Sequence, residues 1–261
     1  MLHKRLVGVV TVKGGWAVQS FGYRSYLPLG RPEVLVENLD RWGADEILVH
    51  VIDRSVKKLG PDFNLIEKIG EIGISTPIVY GGGIRHEHDA ISAIQKGADR
   101  ISLNNIFFER PDSVRKIAHC LGSQAIIGSL PLHRIDGVLK HYNYVTKTSD
   151  DISKEIVRLL EDNLISELLI SDWLNEGSLD RFDIDLLKAK ELSGSKLIAF
   201  GGLGDPLVGA KVIGLSNVSA VAVGNPFSYK EHAIQAYSNQ LKTDYLRSPY
   251  FRDERTYDWN Q

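Results

Sequence analysis

Apolar and polar positions along this chain alternate between two regimes. Short runs rich in Val, Ile and Leu recur at Leu6–Thr11, Glu46–Ile52, Pro77–Tyr80, Arg100–Leu103, Ala125–Leu130, Glu167–Ser171, Lys196–Phe200 and Ala220–Val223. Runs of that length, apolar on both faces, mark strands buried between helix layers in a parallel sheet. Between them, apolar residues fall at helical spacing over Pro32–Trp42, Asn64–Ile72, His86–Lys96, Pro111–Leu121, Ile152–Asn163, Asp183–Leu192, Pro206–Ile213 and Lys230–Leu241. Pro32, Pro111 and Pro206 stand near helix starts, where a missing N–H costs least. No linker divides the units. The pattern predicts an α/β fold, a single (βα)8 TIM barrel over residues 1–245, followed by a C-terminal tail over 246–261.

The barrel reads as two related halves. Tyr80-Gly81-Gly82 recurs as Phe200-Gly201-Gly202, 120 residues on, and Gly8 matches Gly128 at the same offset. Ala98-Asp99-Arg100-Ile101-Ser102 aligns with Val218-Ser219-Ala220-Val221-Ala222, again 120 apart, and Glu46-Ile47-Leu48-Val49 with Glu167-Leu168-Leu169-Ile170 at 121. A near-constant offset of about half the chain predicts duplication of a four-unit half-barrel.

Composition narrows the function classes. Lys and Arg total 31 against 33 Asp and Glu, a net charge of −2, which offers no electrostatic case for nucleic acid. A single cysteine, Cys120, excludes an intrachain disulfide or a multi-cysteine metal site and fits a reducing, cytoplasmic setting. Cys120 is expected to be a buried small residue rather than a nucleophile. The apolar run after Met1-Leu2-His3-Lys4-Arg5 is too short for a signal peptide, and no stretch is long enough to span a membrane. His86-Glu87-His88 places two imidazoles two apart on a predicted helix, where they do not share a face, so no metal and no cofactor are expected.

In such a barrel, ligands sit in loops at the C-terminal ends of the strands. Gly81-Gly82-Gly83-Ile84 and Asn104-Asn105 follow the third and fourth strands, and Gly201-Gly202-Leu203-Gly204 and Gly224-Asn225 follow the seventh and eighth. Glycine loops let backbone N–H groups approach phosphate oxygens. Two equivalent loop pairs point to a ligand with a phosphate at each end. At the opposite rim, Arg5, Glu46, Arg100 and Glu167 stand at strand starts, where two bases and two acids in one layer can form a ring or be solvated singly. Trp16 and Tyr23, in the first β–α loop, are candidates to line the mouth or to pack the loop.

Over residues 1 to about 241 the chain resembles the cyclase subunit of imidazole glycerol phosphate synthase. The match is carried by Met1-Leu2-His3-Lys4-Arg5, Gly43-Ala44-Asp45-Glu46, Gly81-Gly82-Gly83-Ile84, Gly97-Ala98-Asp99, Gly122-Ser123-Gln124-Ala125, Phe182-Asp183 and Ile198-Ala199-Phe200-Gly201-Gly202. The resemblance implies a barrel that takes ammonia from a glutaminase subunit on its bottom face and passes it up the core to a bisphosphate substrate. It makes Arg5, Glu46, Arg100 and Glu167 the charged gate, with Arg100 in place of a family Lys. Asp99 and Gln124 become positions facing the glutaminase. Gly83, Asn104 and Asn105 (for a family Thr) become one phosphate site. Gly177, Gly202, Gly224 and Asn225 (for a Ser) become the other, beside Glu176 for an Asp.

The catalytic positions differ. The family's two general acid–base aspartates are Thr11 and Pro131 here, and its first-loop Lys is Gln19. Neither replacement exchanges a proton near neutral pH. Asp53 and Asp172, in altered loops, are the displaced acids within one residue of reach. Three readings stay open. The favoured one is a cyclase-like amidotransferase subunit channelling ammonia for a surface-polysaccharide sugar, with a glutaminase, a phosphorylated small molecule and a sugar amidotransferase as partners. The others are an active cyclase of histidine biosynthesis and a non-catalytic phosphosugar-binding scaffold.

Overall fold

The computed structural model describes residues 3–241 together with Tyr245 and Leu246. In chain order its strands are β1 (Arg5–Lys13), β2 (Trp16–Phe21), β3 (Ser25–Gly30), β4 (Glu46–Val51), β5 (Ile78–Gly81) and β6 (Arg100–Leu103). They continue as β7 (Ile126–Ile135), β8 (Val138–Asn143), β9 (Thr148–Asp150), β10 (Glu167–Asp172), β11 (Leu197–Phe200) and β12 (Val218–Val223). Eight of them pair in parallel in the order β1-β4-β5-β6-β7-β10-β11-β12, and β12 pairs back onto β1 with Arg5 opposite Ala220. The sheet is a closed (βα)8 barrel, and each predicted strand run lies within or against one of its staves.

Helices cover its outer face where the apolar spacing predicts them, with one exception. Asp183–Leu192 forms two 3-10 turns, Ile184–Lys188 and Lys190–Leu192, instead of one α-helix. Ala189 between them is extended, so Leu186, Leu187 and Leu192 reach the core from separate turns. The helices that form are started by local chemistry: Asp62 accepts from Leu65 N, Ser153 from Ile156 N and Asp205 from Leu207 N. No helix among the described residues is long and apolar enough to cross a membrane.

The halves match in their additions as well as in their staves. β1 and β7 both run past the barrel rim into antiparallel hairpins, β1-β2-β3 and β7-β8-β9. Short helices follow β6 and β12 at Ile106–Glu109 and Asn225–Tyr229. Neither the hairpins nor these helices were expected from the pattern. Polar, glycine-containing segments such as Lys13-Gly14-Gly15 read as chain ends of strands when their partners are unknown.

Two apolar layers hold the barrel. The larger lies between strands and helices, and a smaller cluster (Val7, Val9, Leu48, Val79, Ile127, Leu169, Ile198, Phe200, Ala220 and Ala222) fills the lumen from alternate strand positions. The glycines at the half-barrel offset serve the outer layer. A Cβ on Gly8 would lie 2.9 Å from Leu39 Cδ1, and one on Gly128 would lie 2.8 Å from Leu168 Cδ2. Here a helix side chain (Leu39) and a side chain of the neighbouring strand β10 (Leu168) press directly on the strand backbone. The chain returns to the strand N-terminal rim at Tyr245, whose carbonyl accepts from Lys4 N at 2.8 Å. The predicted tail over 246–261 lies, apart from Leu246, outside the described residues.

Overpacking at these contacts is expected to cost about 1–3 kcal/mol for Gly128→Val. Urea unfolding measures it as a lower midpoint at unchanged slope.

Candidate functional site

The floor of the barrel is an alternating ring of charge. Glu46, Arg100 and Glu167 open their strands, and Arg5 opens β1, so all four stand at the narrow end. Arg5 Nη2 lies 2.5 Å from Glu167 Oε1 and Arg100 Nη2 2.9 Å from Glu167 Oε2. Arg100 Nη1 lies 2.8 Å from Glu46 Oε1, and Arg5 Nη1 closes the circuit 3.6 Å from Glu46 Oε2. Burial opposes ionisation of Glu167, but the bond and charge of Arg5, with Ser219 and Arg100, outweigh it and hold the carboxyl below its usual range. Arg100 is further fixed by Ser166 Oγ at 2.6 Å and by the Gln124 carbonyl at 3.1 Å.

Above the ring the lumen is apolar. A void of about 10 Å³, the size of one small molecule, is bounded below by Glu46, around by Val7, Leu48, Val79, Ile127, Leu169 and Ile198, and by Ser102. Ser102 also lines the next cavity up, at the mouth, of about 210 Å³.

The mouth cavity takes its walls from both halves. Gly81, Gly82, Gly83, Asn104 and Asn105 form one side, His50 and Ser129 the base, and Tyr23, Tyr142, Tyr144 and Trp173 the cover. Gly83 has φ +74°, and a Cβ there would stand 2.2 Å from the Gly60 carbonyl oxygen, so chain packing alone demands glycine. Asn104 Nδ2 donates to the Ser129 carbonyl at 2.8 Å, bridging β6 and β7. Trp173 is held by stacking on Tyr142 (ring centroids 3.8 Å apart) and by donating from Nε1 to His133 Nδ1 at 2.7 Å.

The second glycine loop bounds a much smaller space of about 20 Å³, lined by Thr11, Glu176, Gly177, Gly202, Gly224 and Asn225. Asn225 is already engaged there: its Oδ1 accepts from Ser20 N at 3.1 Å and its Nδ2 donates to the Ser20 carbonyl at 2.7 Å. Gly177 lies against the same strand, and Glu176 is buried with its Oε2 accepting from Ser20 Oγ at 3.0 Å and Tyr23 N at 3.1 Å. Burial raises the Glu176 pKa above the usual carboxylate value.

The displaced acids do not reach either cavity. Asp172 is buried, but its carboxylate accepts from Asn175 Nδ2 and Asp183 N, both at 2.8 Å, and shapes the loop after β10. Asp53 pairs with Lys57 at 2.6 Å and accepts from Gly14 N at 3.1 Å. Thr11 is buried in the smaller space, and Pro131 is buried opposite Ser171. Gln19 lies in β2 opposite Leu27 and lines neither cavity.

Elsewhere the expectations divide. Asp99 and Gln124 are exposed on the bottom rim, and Asp99 also accepts from Ile78 N at 2.8 Å, so its carboxylate fixes the start of β5. Cys120 is exposed on the last turn of Pro111–Leu121, not buried, because the apolar face of that helix is set by Val114, Ile117 and Ala118. His86 is the extended N-cap of its helix, so its ring stacks on His88 at 5.3 Å despite the spacing of two. No group of three metal-ligating side chains occurs among the described residues. Trp16 is exposed, whereas Tyr23 lines the mouth.

His50 escaped sequence reading, although its parity is legible: Glu46, Leu48 and His50 alternate up the inner face of β4. Its Nδ1 is buried without a hydrogen-bond partner among the described residues, whereas the buried hydroxyls of Tyr23 and Tyr144 face each other.

A closed barrel of two matched halves, with ion pairs across its floor and glycine loops at its mouth, defines a duplicated (βα)8 protein whose larger cavity lies at the strand C-terminal ends. The chain belongs to the histidine biosynthesis protein family, whose model matches residues 5–233. It is 29% identical over 246 residues to the "Putative imidazole glycerol phosphate synthase subunit hisF2" of Vibrio vulnificus (strain YJ016), covering 93% of this chain and 89% of that one. It is 28% identical over 244 residues to the imidazole glycerol phosphate synthase subunit HisF of Thermotoga sp. (strain RQ2), covering 93% and 96%. With the HisF subunit of Exiguobacterium sibiricum it shares 31% over 212 residues, 78% of this chain and 82% of the relative.

Two imidazoles set an acid limit. Burial lowers the pKa of His50 and of His141 from 6.5 to about 4. In the unfolded chain both take a proton near pH 6.5, while folded they resist until about pH 4. Their contribution is whole above pH 6.5 and is lost as the pH falls toward 4, on the order of 1–3 kcal/mol each. Thermal midpoints measured against pH are expected to drop across that window, and to drop less in His50→Gln and His141→Gln. An unchanged pH dependence in the double variant would remove these groups as the cause.

Proposed function

We propose that this chain is the ammonia-receiving subunit of a glutamine amidotransferase complex. A glutaminase subunit docks on its bottom face near Asp99 and Gln124, and ammonia passes the Arg5–Glu46–Arg100–Glu167 ring as through a gate. It then rises through the lumen to a phosphorylated acceptor at the mouth, for amidation of a surface-polysaccharide sugar with a sugar amidotransferase as further partner. The proposal sets the complex in the cytoplasm.

One observation carries this reading: the spaces share their walls in sequence. Glu46 belongs to both ring and void, and Ser102 to both void and mouth. A small neutral molecule that crosses the ring meets only apolar side chains until it reaches Ser102. Apolar walls do not bind ammonia and cannot hold ammonium, so the route favours the uncharged nucleophile. The names of the relatives support a glutaminase-linked setting, since they are subunits of imidazole glycerol phosphate synthase.

The ordinary cyclase reaction is disfavoured by the groups at the mouth. General acid and base each contribute about 10²–10⁴-fold, and Thr11 and Pro131 supply neither. Asp172 is held by loop contacts, and Asp53, tied to Lys57 and Gly14 N through Oδ2, lines neither cavity.

Gate behaviour is expected to differ between the two arginines. The Arg5–Glu46 contact at 3.6 Å is the longest link, and the Arg5 side chain is 29% exposed against 14% for Arg100. Arg5 is therefore the member that swings, and Arg100 the fixed one.

With a co-expressed glutaminase subunit, the chain is expected to co-purify and to stimulate glutamine hydrolysis. Asp99→Asn keeps an acceptor for Ile78 N while removing the charge, and is expected to weaken that association at least tenfold by titration calorimetry. Arg5→Ala is expected to leave association intact but to release ammonia to solvent, read by a coupled dehydrogenase assay. Supplied with free ammonia and the cyclase substrate, the chain is expected to show no turnover; robust turnover would sink the proposal.

A further inference from the structure

The two glycine loops are equivalent in sequence, yet the spaces they bound differ in size, charge and occupancy. We infer that the mouth binds a ligand carrying its phosphate at one end only, seated on the Gly83–Asn105 side, with an uncharged, sugar-sized body against His50, Tyr144 and Trp173. The binding claim stands on the cavity itself; only the further step, that this ligand is the ammonia acceptor, rests on the proposed function.

Size is the first argument. About 210 Å³ on one side accommodates a sugar phosphate, whereas about 20 Å³ on the other holds little more than a water. Charge is the second. Arg24 and Lys147 line the larger cavity, and a small annex that shares Ser55, Ile84 and Asn105 with it adds Lys58, Arg85 and Arg110 against one carboxylate, Glu109. Glu109 pairs with Arg85, and Arg24, Lys147 and Lys58 have no carboxylate partner among the described residues. The smaller space instead contains the buried carboxyl of Glu176, which opposes a second phosphate. Occupancy is the third. Both polar ends of the Asn225 amide are bonded to Ser20, so that side chain is not free to hold an anion.

A partition separates the two ends. Tyr23, at the turn of the first hairpin, meets Tyr144, at the turn of the second, edge to face with ring centroids 5.2 Å apart. The backbone N–H of Tyr23 donates to Glu176, so the ring belongs to the larger cavity while its anchor lies in the smaller. Both rings line the larger cavity and neither lines the smaller. A ligand confined to the first side lies against His50, whose Nδ1 is buried without a hydrogen-bond partner among the described residues. A buried polar atom without a partner costs free energy, and a hydroxyl of a sugar body satisfies it. Trp173, locked by Tyr142 and His133, offers the apolar side of the same body a flat wall.

The test compares a matched series on the isolated full chain by titration calorimetry: fructose, fructose 6-phosphate and fructose 1,6-bisphosphate. The two phosphates are expected to bind within threefold of each other and at least tenfold more tightly than fructose. Asn105→Asp is expected to weaken both phosphates at least tenfold; Lys147→Glu does the same without touching the glycine loops, should the first variant fail to fold. Ser178→Asp, which adds a charge to the smaller space, is expected to change either affinity less than twofold. Tenfold tighter binding of the bisphosphate, equal losses from Ser178→Asp and Asn105→Asp, or no binding of either phosphate would each overturn the inference. None of these results depends on a glutaminase, so failure here leaves the ammonia route to its own assay.

Discussion

Four charges at the narrow end of the barrel must neutralise one another for the rest of the molecule to exist as it does. Glu46 and Glu167 are buried, and above them lies a lumen of Val, Leu, Ile and Ala with almost nothing to solvate a stray charge. Desolvating ions is costly, and it is offset only when each is paired and its remaining hydrogen-bonding capacity is met. Alternation of sign supplies the pairing, since each arginine lies between two carboxylates, and only Glu46 Oε2 is left with an ion pair at 3.6 Å in place of a hydrogen bond. The same requirement explains why an arginine suits position 100. Its planar fork reaches Glu46, Glu167, Ser166 and the Gln124 carbonyl at once, where an ammonium point charge would leave part of that set unbonded. The floor is thereby stiffened on one side, and freedom is left to the longer Arg5–Glu46 contact on the other.

Much of this was legible because barrel staves write simple patterns. Eight apolar runs, proline at helix starts and a 120-residue offset lead to the duplicated barrel, and the ring residues betray themselves as charges at the starts of otherwise apolar strands. What stayed hidden depends on partners far away in sequence. Ser20 and Asn225 are ordinary polar residues until β2 lies beside the loop after β12. Tyr23 and Tyr144 look like loop aromatics until two hairpins meet above the mouth. Asp53 and Asp172 look available until Lys57 and Gly14 are seen to hold Oδ2 of the first, and Asn175 and Asp183 the second, away from both cavities. A chain read one residue at a time reveals which groups are present, and only the folded contacts reveal which are still free.

The duplicated plan also shows how equivalent halves come to do unequal work. Both halves keep a glycine loop, a hairpin and a short helix. In the second half those parts are turned on the protein itself: the amide of Asn225 and the carboxyl of Glu176 hold down the first hairpin. In the first half the corresponding surface lines the larger cavity with Arg24 and Lys147, and Ser102 borders both that cavity and the void in the lumen.

The ring also bears on the order in which the chain can fold. Arg5, Glu46 and Arg100 come from the first half, and Glu167 alone comes from the second. A first half by itself would therefore leave Arg5 and Arg100 with Glu46 as their only ring carboxylate. Only arrival of β10 balances the ring, and only arrival of β12 seats Arg5 opposite Ala220 and brings Asn225 to Ser20. Such distant pairings delay closure, because the chain entropy of long loops must be given up before the contacts are gained. The charged floor thus ties the two halves together, because its circuit of four is complete only when β10 sets Glu167 between the two arginines.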